Sequence, residues 1–444
     1  MPAHSTSGTP LPGDGQGNDG IAVDILVVGA GPAGLAAANR LSAERYSTLL
    51  VDAGKPVTDR DRDAPEEMSQ GYGGAGLFSD GKFSFFPSAS ELWSLRRYPD
   101  LRAGFDWTCE VLGAAGLDTP PFPDDPSAYS IGSGEWVLKE YPSDYLSLPA
   151  RLELTQGLVD KLEVDVLPRT RVAGLEYHHR EGTFLVDLAG PDGDQRIRAR
   201  RVLVATGRFG PLGLVDRVQE RSWRRLEVGF RIEQPAEESF FAGMKQLDPK
   251  LRLRREDGAV EWRTFCACRQ GEAVLTETSG MWTVSGRADC PPSGRSNIGF
   301  NTRVLDEDIA RRAMPHIEAA LSDSASWFRV PLKEFLGGRP EASEALHRAY
   351  GVEVSALMRE GLERLAEKFP GVAGERTELI GPTLEGVGWY PKVNGDLRMA
   401  EWPMYVAGDA CGLFRGIVAA MISGWYAASA LVHELDVSKE TVGA

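Results

Sequence analysis

The sequence predicts an α/β fold: a Rossmann-like domain with a central parallel sheet and an antiparallel meander, joined to a second, mixed α+β domain. Three observations support this prediction. A strand, a glycine turn, a helix and a second strand follow one another over residues 23–52, which is the order and size of a βαβ unit. Short alternating runs over 164–204 indicate a meander that leads into a parallel strand. The 444 residues suffice for two packed domains.

We expect the first domain to be discontinuous, because glycine-ended strands of the same kind occur both early and late in the chain. It comprises residues 21–207 and 385–436, with an irregular excursion over 90–150. Residues 208–384 form the second domain, which we expect to carry the substrate side of the site. Residues 1–20 are rich in Ser, Thr, Gly, Pro and Asp, and this composition predicts a disordered lead-in.

Composition and charge argue against several partner classes. The net charge of −15 at pH 7 opposes binding to nucleic acid and to anionic membranes. The apolar stretch 416–432 is rich in small residues and reads as a buried helix, not a membrane span. Five cysteines without metal-ligand spacing and no signal peptide predict a cytoplasmic protein without a metal site. The sequence does not indicate the oligomeric state.

The strongest motif is the glycine fingerprint G-x-G-x-x-G over residues 29–34. Its first glycine permits a tight turn, the second lets the backbone approach a pyrophosphate, and the third lets helix and strand pack closely. The phosphates would lie at the helix N-terminus, and an acid at the end of the next strand would meet the ribose hydroxyls. The dinucleotide contacts predicted from this unit are Gly29, Gly31, Pro32, Ala33, Gly34, Asp52 and Ala53.

Two later strands end in motifs of the same kind. The strand 201–205 runs into Ala205-Thr206-Gly207, and the strand 404–407 runs into Gly408-Asp409. Together with the early fingerprint, this trio resembles the FAD-binding flavoproteins of the glutathione-reductase structural class. The resemblance implies non-covalent FAD, an aspartate on the ribityl chain, and a helix N-terminus at the flavin N1/C2=O edge. The residues implied are Val172, Ala205, Thr206, Gly207, Gly408, Asp409, Gly416 and Ile417.

A glycine-rich loop over 71–82 fits the same picture, with Gly74, Gly76 and Ser79 as further expected cofactor contacts. Its segment 73–82 resembles the signature of a bacterial family of FAD-dependent, or NAD(FAD)-utilising, dehydrogenases. The segments 228–233, 263–268 and 386–391 are also similar to that family. The chain departs from the family pattern at 269–271, where Arg-Gln-Gly stands in place of Pro-Gly-Gly, and at Cys411. The resemblance implies redox chemistry and leaves the substrate open.

Candidate catalytic residues are Lys82 in the glycine loop, Tyr390 before the last strand, and Arg415 before the last helix. Arg415 could bind an acidic substrate or stabilise a reduced flavin. Cys266 and Cys268 are two apart and would share one face of a strand; a redox role for them or for Cys411 stays open.

A flavin would supply the redox chemistry, so we expect hydride transfer between a small molecule and flavin N5 by a dehydrogenase or oxidase. The chain has no second fingerprint for a nicotinamide, so either NAD(P)H binds transiently or the electrons leave to oxygen or another acceptor. An NAD(P)H-dependent flavin monooxygenase is the alternative, and a flavin-free binding or chaperone protein is a remote one. The excess of Arg over Lys and the abundance of Ala and Gly suggest a bacterial source and a role in specialised metabolism.

Overall fold

The structure is a computed structural model, and it describes residues 21–126, 134–215 and 218–442. The predicted lead-in 1–20 lies outside these residues. In chain order the strands are β1 (Ala22–Val28), β2 (Thr48–Val51), β3 (Lys82–Ser84), β4 (Val137–Lys139), β5 (Ser143–Tyr145), β6 (Asp165–Leu167), β7 (Arg171–His178), β8 (Thr183–Gly190), β9 (Gly193–Val204), β10 (Arg221–Pro235), β11 (Lys250–Arg254), β12 (Val260–Cys268), β13 (Glu272–Thr278), β14 (Met281–Arg287), β15 (Arg295–Val304), β16 (Phe328–Pro331), β17 (Glu378–Pro391) and β18 (Met404–Val406). The helices are α1 (Pro32–Ser42), α2 (Tyr98–Ala114), α3 (Leu148–Asp160), α4 (Gly210–Val215), α5 (Glu307–Leu321), α6 (Leu332–Leu336), α7 (Pro340–Lys368) and α8 (Ile417–Val442).

The first sheet has the order β6-β2-β1-β9-β8-β7, and β18 also pairs with β9. β1 runs parallel to β2 and to β9, with Val28 opposite both Val51 and Val204. The long strand β9 belongs both to the antiparallel meander and to the parallel part of the sheet. Its first half closes the antiparallel meander with β8, and its second half lies in the parallel sheet. The carboxyl ends of β1, β2, β9 and β18 therefore meet at one edge, where open α/β sheets bind ligands.

Small residues allow helices α1 and α8 to pack closely against each other. A Cβ atom at Gly424 would overlap the carbonyl oxygen of Ala33, so this helix crossing requires glycine at position 424. The predicted buried helix over 416–432 is thus confirmed, and it continues to Val442. Within the described part of the chain, no helix combines the length and the apolarity that crossing a bilayer requires.

The second sheet is antiparallel, with the order β16-β17-β10-β15-β12-β11-β4. Its apolar side chains alternate along each strand and pack against α5 and α7. Trp262 on β12 is fully buried there, and its indole N–H donates to the carbonyl of Leu357 on α7 at 2.9 Å. The opposite face of this sheet is polar and faces the first domain.

The structure corrects two expected boundaries. The division at 384/385 falls inside β17, all of which belongs to the second sheet, so the first domain resumes after Pro391. The excursion over 90–150 does not belong to the first domain alone, because its strand β4 forms the edge of the second sheet.

Candidate functional site

A cavity of about 1530 Å³ lies between the carboxyl edge of the first sheet and the polar face of the second. Most of the expected cofactor contacts lie on its wall, as do Lys82 and Arg415. The sequence motifs, which are up to nearly 400 residues apart, are thus brought to one place. The expected contacts that line the cavity are Gly29, Gly31, Pro32, Ala33, Asp52, Ala53, Gly74, Gly76, Ser79, Val172, Ala205, Thr206, Gly207, Gly408, Asp409, Gly416 and Ile417.

The three fingerprint glycines have three different environments. Gly29 has φ +103°, and a Cβ there would lie 2.6 Å from the carbonyl oxygen of Ala205. At Gly31 the backbone is ordinary, and a Cβ would meet only the Cα of Gly74, at 3.8 Å. At Gly34 a Cβ would overlap the carbonyl oxygen of Gly29. We therefore correct the expectation for Gly34: it permits close packing of α1 on the turn and does not line the cavity.

Asp52 fixes the turn that follows β1. One carboxylate oxygen accepts the N–H of Ala30 at 2.6 Å, and the other accepts the N–H of Gly54 at 2.7 Å. Burial raises the pKa of Asp52 above its ordinary value, and these two hydrogen bonds oppose the rise. Each carboxylate oxygen has a second lone pair. Asp52 can therefore hold the turn and still accept a ribose hydroxyl from the cavity.

Two helices begin at the cavity wall. Helix α1 starts at Pro32, and its N-cap Gly31 offers no side-chain cap. Helix α8 starts at Ile417 after Gly416, which has φ +104°. The first N–H groups of a helix lack partners within the helix, and its dipole favours negative charge nearby. The free N–H groups and the dipole at the start of α1, together with the open space at Gly31, fit the phosphates of a dinucleotide. The same groups at the start of α8 fit an electron-rich ring edge.

Arg60 holds the glycine loop in place, a role that no motif in the sequence indicates. Its guanidinium donates to the carbonyls of Tyr72 at 2.6 Å, Gly74 at 3.1 Å and Glu67 at 2.6 Å. It also stacks over the Phe78 ring at 4.7 Å. Burial lowers the pKa of Arg60 to about 10, so the side chain stays charged at neutral pH. These contacts hold the loop on the cavity wall.

Lys82 joins the glycine loop to the second domain. Its ammonium group pairs with Asp80 at 3.1 Å and donates to the carbonyl of Ala267 on β12. Burial alone would lower the pKa of Lys82, but Asp80 and then Asp248 raise it above its ordinary value. Lys82 therefore stays protonated, and the structure fits a cationic positioning group better than a base.

The two other catalytic candidates differ in position. Tyr390 is almost fully buried, its hydroxyl accepts the N–H of Val387 at 3.1 Å, and it does not line the cavity. We therefore correct its assignment: the ring packs in the core. Arg415 does line the cavity. Its guanidinium donates to Asp409 and to Glu385, both at 3.0 Å, so Arg415 orients the aspartate that was expected to meet the ribityl chain.

The cysteines also differ in position. Cys266 lines the cavity with φ +50°, at a bulge in β12. Cys268 is buried, and the guanidinium of Arg231 lies 3.5 Å from its sulfur. Cys411 is buried off the cavity wall, and burial raises the pKa of its thiol to about 12. No cluster of three or more metal-ligating side chains occurs among the described residues.

Comparison with known proteins identifies one segment. Residues 27–60, which hold the glycine turn, α1 and β2, match the model of an NAD(P)-binding Rossmann-like domain. No curated protein matches the chain in sequence.

Several solved structures are similar at low identity. A flavoprotein/dehydrogenase from Cytophaga hutchinsonii is 13% identical, with 93% of this chain and 79% of that chain covered and a TM-score of 0.43. A geranylgeranyl bacteriochlorophyll reductase-like protein from Thermoplasma acidophilum is 14% identical, with 94% and 80% covered and a TM-score of 0.41. A p-nitrophenol 4-monooxygenase from Pseudomonas putida is 12% identical, with 94% and 81% covered and a TM-score of 0.37. Likeness of this degree assigns no reaction.

Proposed function

We propose that the protein is an FAD-dependent oxidoreductase acting on a small molecule. The observation that carries this proposal is the shared cavity. The ends of β1, β2, β9 and β18 and the N-termini of α1 and α8 all open into it. A site for NAD(P) alone would not need the late Gly408-Asp409 turn or the second helix N-terminus. An extended cofactor with a phosphate centre and a distant electron-accepting ring uses all of them.

Each part of the cofactor has residues that would hold it. Gly31 and the start of α1 would meet the pyrophosphate, and Asp52 the adenosine ribose. Asp409, oriented by Arg415, would accept from the ribityl hydroxyls. The N–H groups at Gly416 and Ile417 would face the flavin N1/C2=O edge, where the helix dipole favours the reduced, anionic form. When bound, FAD supplies the hydride-accepting or hydride-donating centre at N5.

The size of the cavity leaves room for a substrate beside the cofactor. Sites for one small molecule are about 300–1,000 Å³, whereas this cavity is about 1530 Å³. The polar face of the second sheet forms the opposite wall, and the hydrogen bond from Lys82 to the carbonyl of Ala267 on β12 joins the two domains beside it. This face would orient the substrate and exclude water from the reacting atoms. We take hydride transfer from the substrate, as in a dehydrogenase or oxidase, as the first candidate.

Anaerobic stopped-flow mixing of the purified protein with NADPH and with NADH tests the direction of electron flow. Flavin absorbance that neither nicotinamide bleaches would support a substrate dehydrogenase or oxidase. Rapid bleaching would support the alternative, an NAD(P)H-dependent monooxygenase or reductase. A protein that neither carries nor takes up FAD would contradict both and leave the flavin-free binding protein.

A further inference from the structure

The polar face of the second sheet presents a row of cations to the cavity. In the sheet register Lys139 on β4 lies opposite Lys250 on β11, and Arg252 lies opposite Arg263 on β12. Paired residues of antiparallel strands point to the same side, as do residues two apart. Lys139, Lys250, Arg252 and Arg263 therefore share one face, and all four line the cavity.

The same register extends the row across two more strands. Arg303 on β15 lies opposite Glu261 on β12 and opposite Glu227 on β10, and Arg225 is two residues from Glu227. Arg303 and Arg225 also line the cavity. Six cations thus lie on the cavity wall along five strands, from Lys139 at the sheet edge to Arg225 on β10.

The carboxylates on this face do not neutralise the charge of the six cations. Glu227 and Glu261 lie among these six cations; both are buried and neither lines the cavity. Glu385 on β17 does line the cavity, and it pairs with two further cations, Arg208 and Arg415. Glu227 is paired with Arg225 and Arg303 at 3.0 and 3.1 Å and also with Arg263. Asp248, which precedes β11, adds one contact with Lys250 at 3.4 Å. Positive charge therefore exceeds negative charge at this wall, in a chain whose net charge is −15.

Holding this excess charge out of water is unfavourable in the ligand-free protein. Burial, together with the neighbouring cations, lowers the pKa of Lys139 to about 7 and that of Arg263 to about 9. The Nε atoms of Arg252 and Arg263 are buried and have no hydrogen-bond partner among the residues that the structure describes. A buried donor without an acceptor is destabilising, because it has lost its hydrogen bond to water. A negatively charged ligand would offset the buried positive charge and would accept hydrogen bonds from the unpaired arginine donors.

We propose that this face binds the anionic part of the substrate, an organic anion with at least two negative charges, such as a dicarboxylate or a phosphate monoester. A single charge would leave part of the excess uncompensated. Arginine in particular favours carboxylate and phosphate, because its planar donors match their oxygens. The inference rests on the proposed function, since it names the substrate class of the same cavity. It concerns the second sheet, whereas the FAD pyrophosphate is expected at α1.

Calorimetric titration of the FAD-loaded protein with malonate, citrate and inorganic phosphate tests the proposal, at constant ionic strength set with sodium chloride. The native protein should bind at least one of these anions. The Arg252→Gln variant should bind it at least tenfold more weakly, and Arg263→Gln should do the same. Arg196→Gln is the matched control, because Arg196 pairs with Asp187 on the exposed meander, and it should bind like the native protein.

The outcomes separate this inference from the proposed function, because flavin content is measured on the same samples. Normal FAD content without anion binding, or equal affinity in all variants, would overturn the anion site alone. Absence of FAD would overturn the proposed function, and titration of the flavin-free chain would still decide the anion site. If Arg263→Gln fails to fold, Arg252→Gln decides, because its side chain is 29% exposed against 15% for Arg263.

The uptake of a proton when the anion binds is a second measurement. A purely structural role of Lys139 would not cause such uptake. With a pKa of about 7, Lys139 is largely neutral at pH 8, and a bound anion would favour its protonated form. Binding should therefore take up a proton, and affinity should fall by up to tenfold per pH unit above pH 7. Lys139→Met should remove the dependence of anion affinity on pH. An unchanged pH profile in that variant would contradict the assignment of the dependence to Lys139. Among the described residues, the charged groups around Lys139 include Lys250, Arg252, Arg263 and Arg303, with Asp248 and Glu261 paired to three of them.

Discussion

The fingerprint glycines offer a pair of substitutions that separates cofactor binding from folding. Gly31→Ala adds a methyl group that would meet only the Cα of Gly74, at 3.8 Å, and Gly31 has φ −73°, which alanine adopts freely. Replacing glycine at a compatible position stabilises by about 0.4–1 kcal/mol, and losing glycine from an N-cap offsets a similar amount. The flavin-free protein should therefore change in unfolding free energy by less than about 1 kcal/mol.

The same methyl group should weaken FAD binding, because it lies where the backbone must approach the pyrophosphate. We expect the Kd for FAD to rise at least tenfold, which corresponds to about 1.4 kcal/mol. Gly34→Ala is the matched control. Its methyl group would overlap the carbonyl oxygen of Gly29, so it should lower the unfolding free energy by about 1–3 kcal/mol or more.

Two assays on the flavin-free proteins distinguish these effects: urea unfolding, and titration with FAD followed by tryptophan fluorescence. A Gly31→Ala protein that binds FAD as tightly as the native one would refute the placement of the phosphates. A Gly31→Ala protein that unfolds as easily as Gly34→Ala would refute the claim that Gly31 faces open cavity.

Three further predictions concern residues around the cavity. Arg60→Met leaves the buried carbonyls of Tyr72 and Met68 without the Arg60 donor; it should lower the unfolding free energy by about 1–3 kcal/mol and weaken FAD binding, and unchanged urea unfolding would contradict this. Glu227→Gln removes the carboxylate paired with Arg225, Arg263 and Arg303; thermal unfolding should show a loss of about 3–5 kcal/mol, and a neutral effect would contradict its role as a counter-charge. Cys411→Ala should leave flavin content and reduction rate unchanged, because the pKa of the thiol is raised to about 12; a changed rate in stopped flow would assign Cys411 a redox part.

The parts of the fold that the sequence predicted well are those set by local pattern. The turn at Gly29 needs a positive φ, and the helix and strands around it follow from short runs of apolar residues. Most of the expected cofactor contacts therefore lie on one cavity wall. The long helix after Gly416 was also predicted from its small and apolar residues, although its end was placed ten residues too early.

The parts that were missed depend on pairing between distant segments. Tyr390 was expected at the site, but the direction of its side chain is set by the register of β17 against β10, which shifts at several bulges. Arg60 and Arg151 serve main-chain carbonyls: Arg151 donates to Leu77 at 2.9 Å across 74 residues of sequence. A partner that is a carbonyl group leaves no signature in the sequence. The cationic row was invisible for a similar reason, because Lys139 and Arg303 share a face only once the strand order is known.

The flavin content of the purified protein decides whether the cavity between the two sheets holds FAD. The protein, after equilibration with FAD and removal of unbound cofactor, should show the visible absorption bands of an oxidised flavin. Heat or acid denaturation should release FAD in an amount equimolar with the chain. A colourless protein that retains no FAD, and that gives no heat when FAD is titrated into it, would contradict the account.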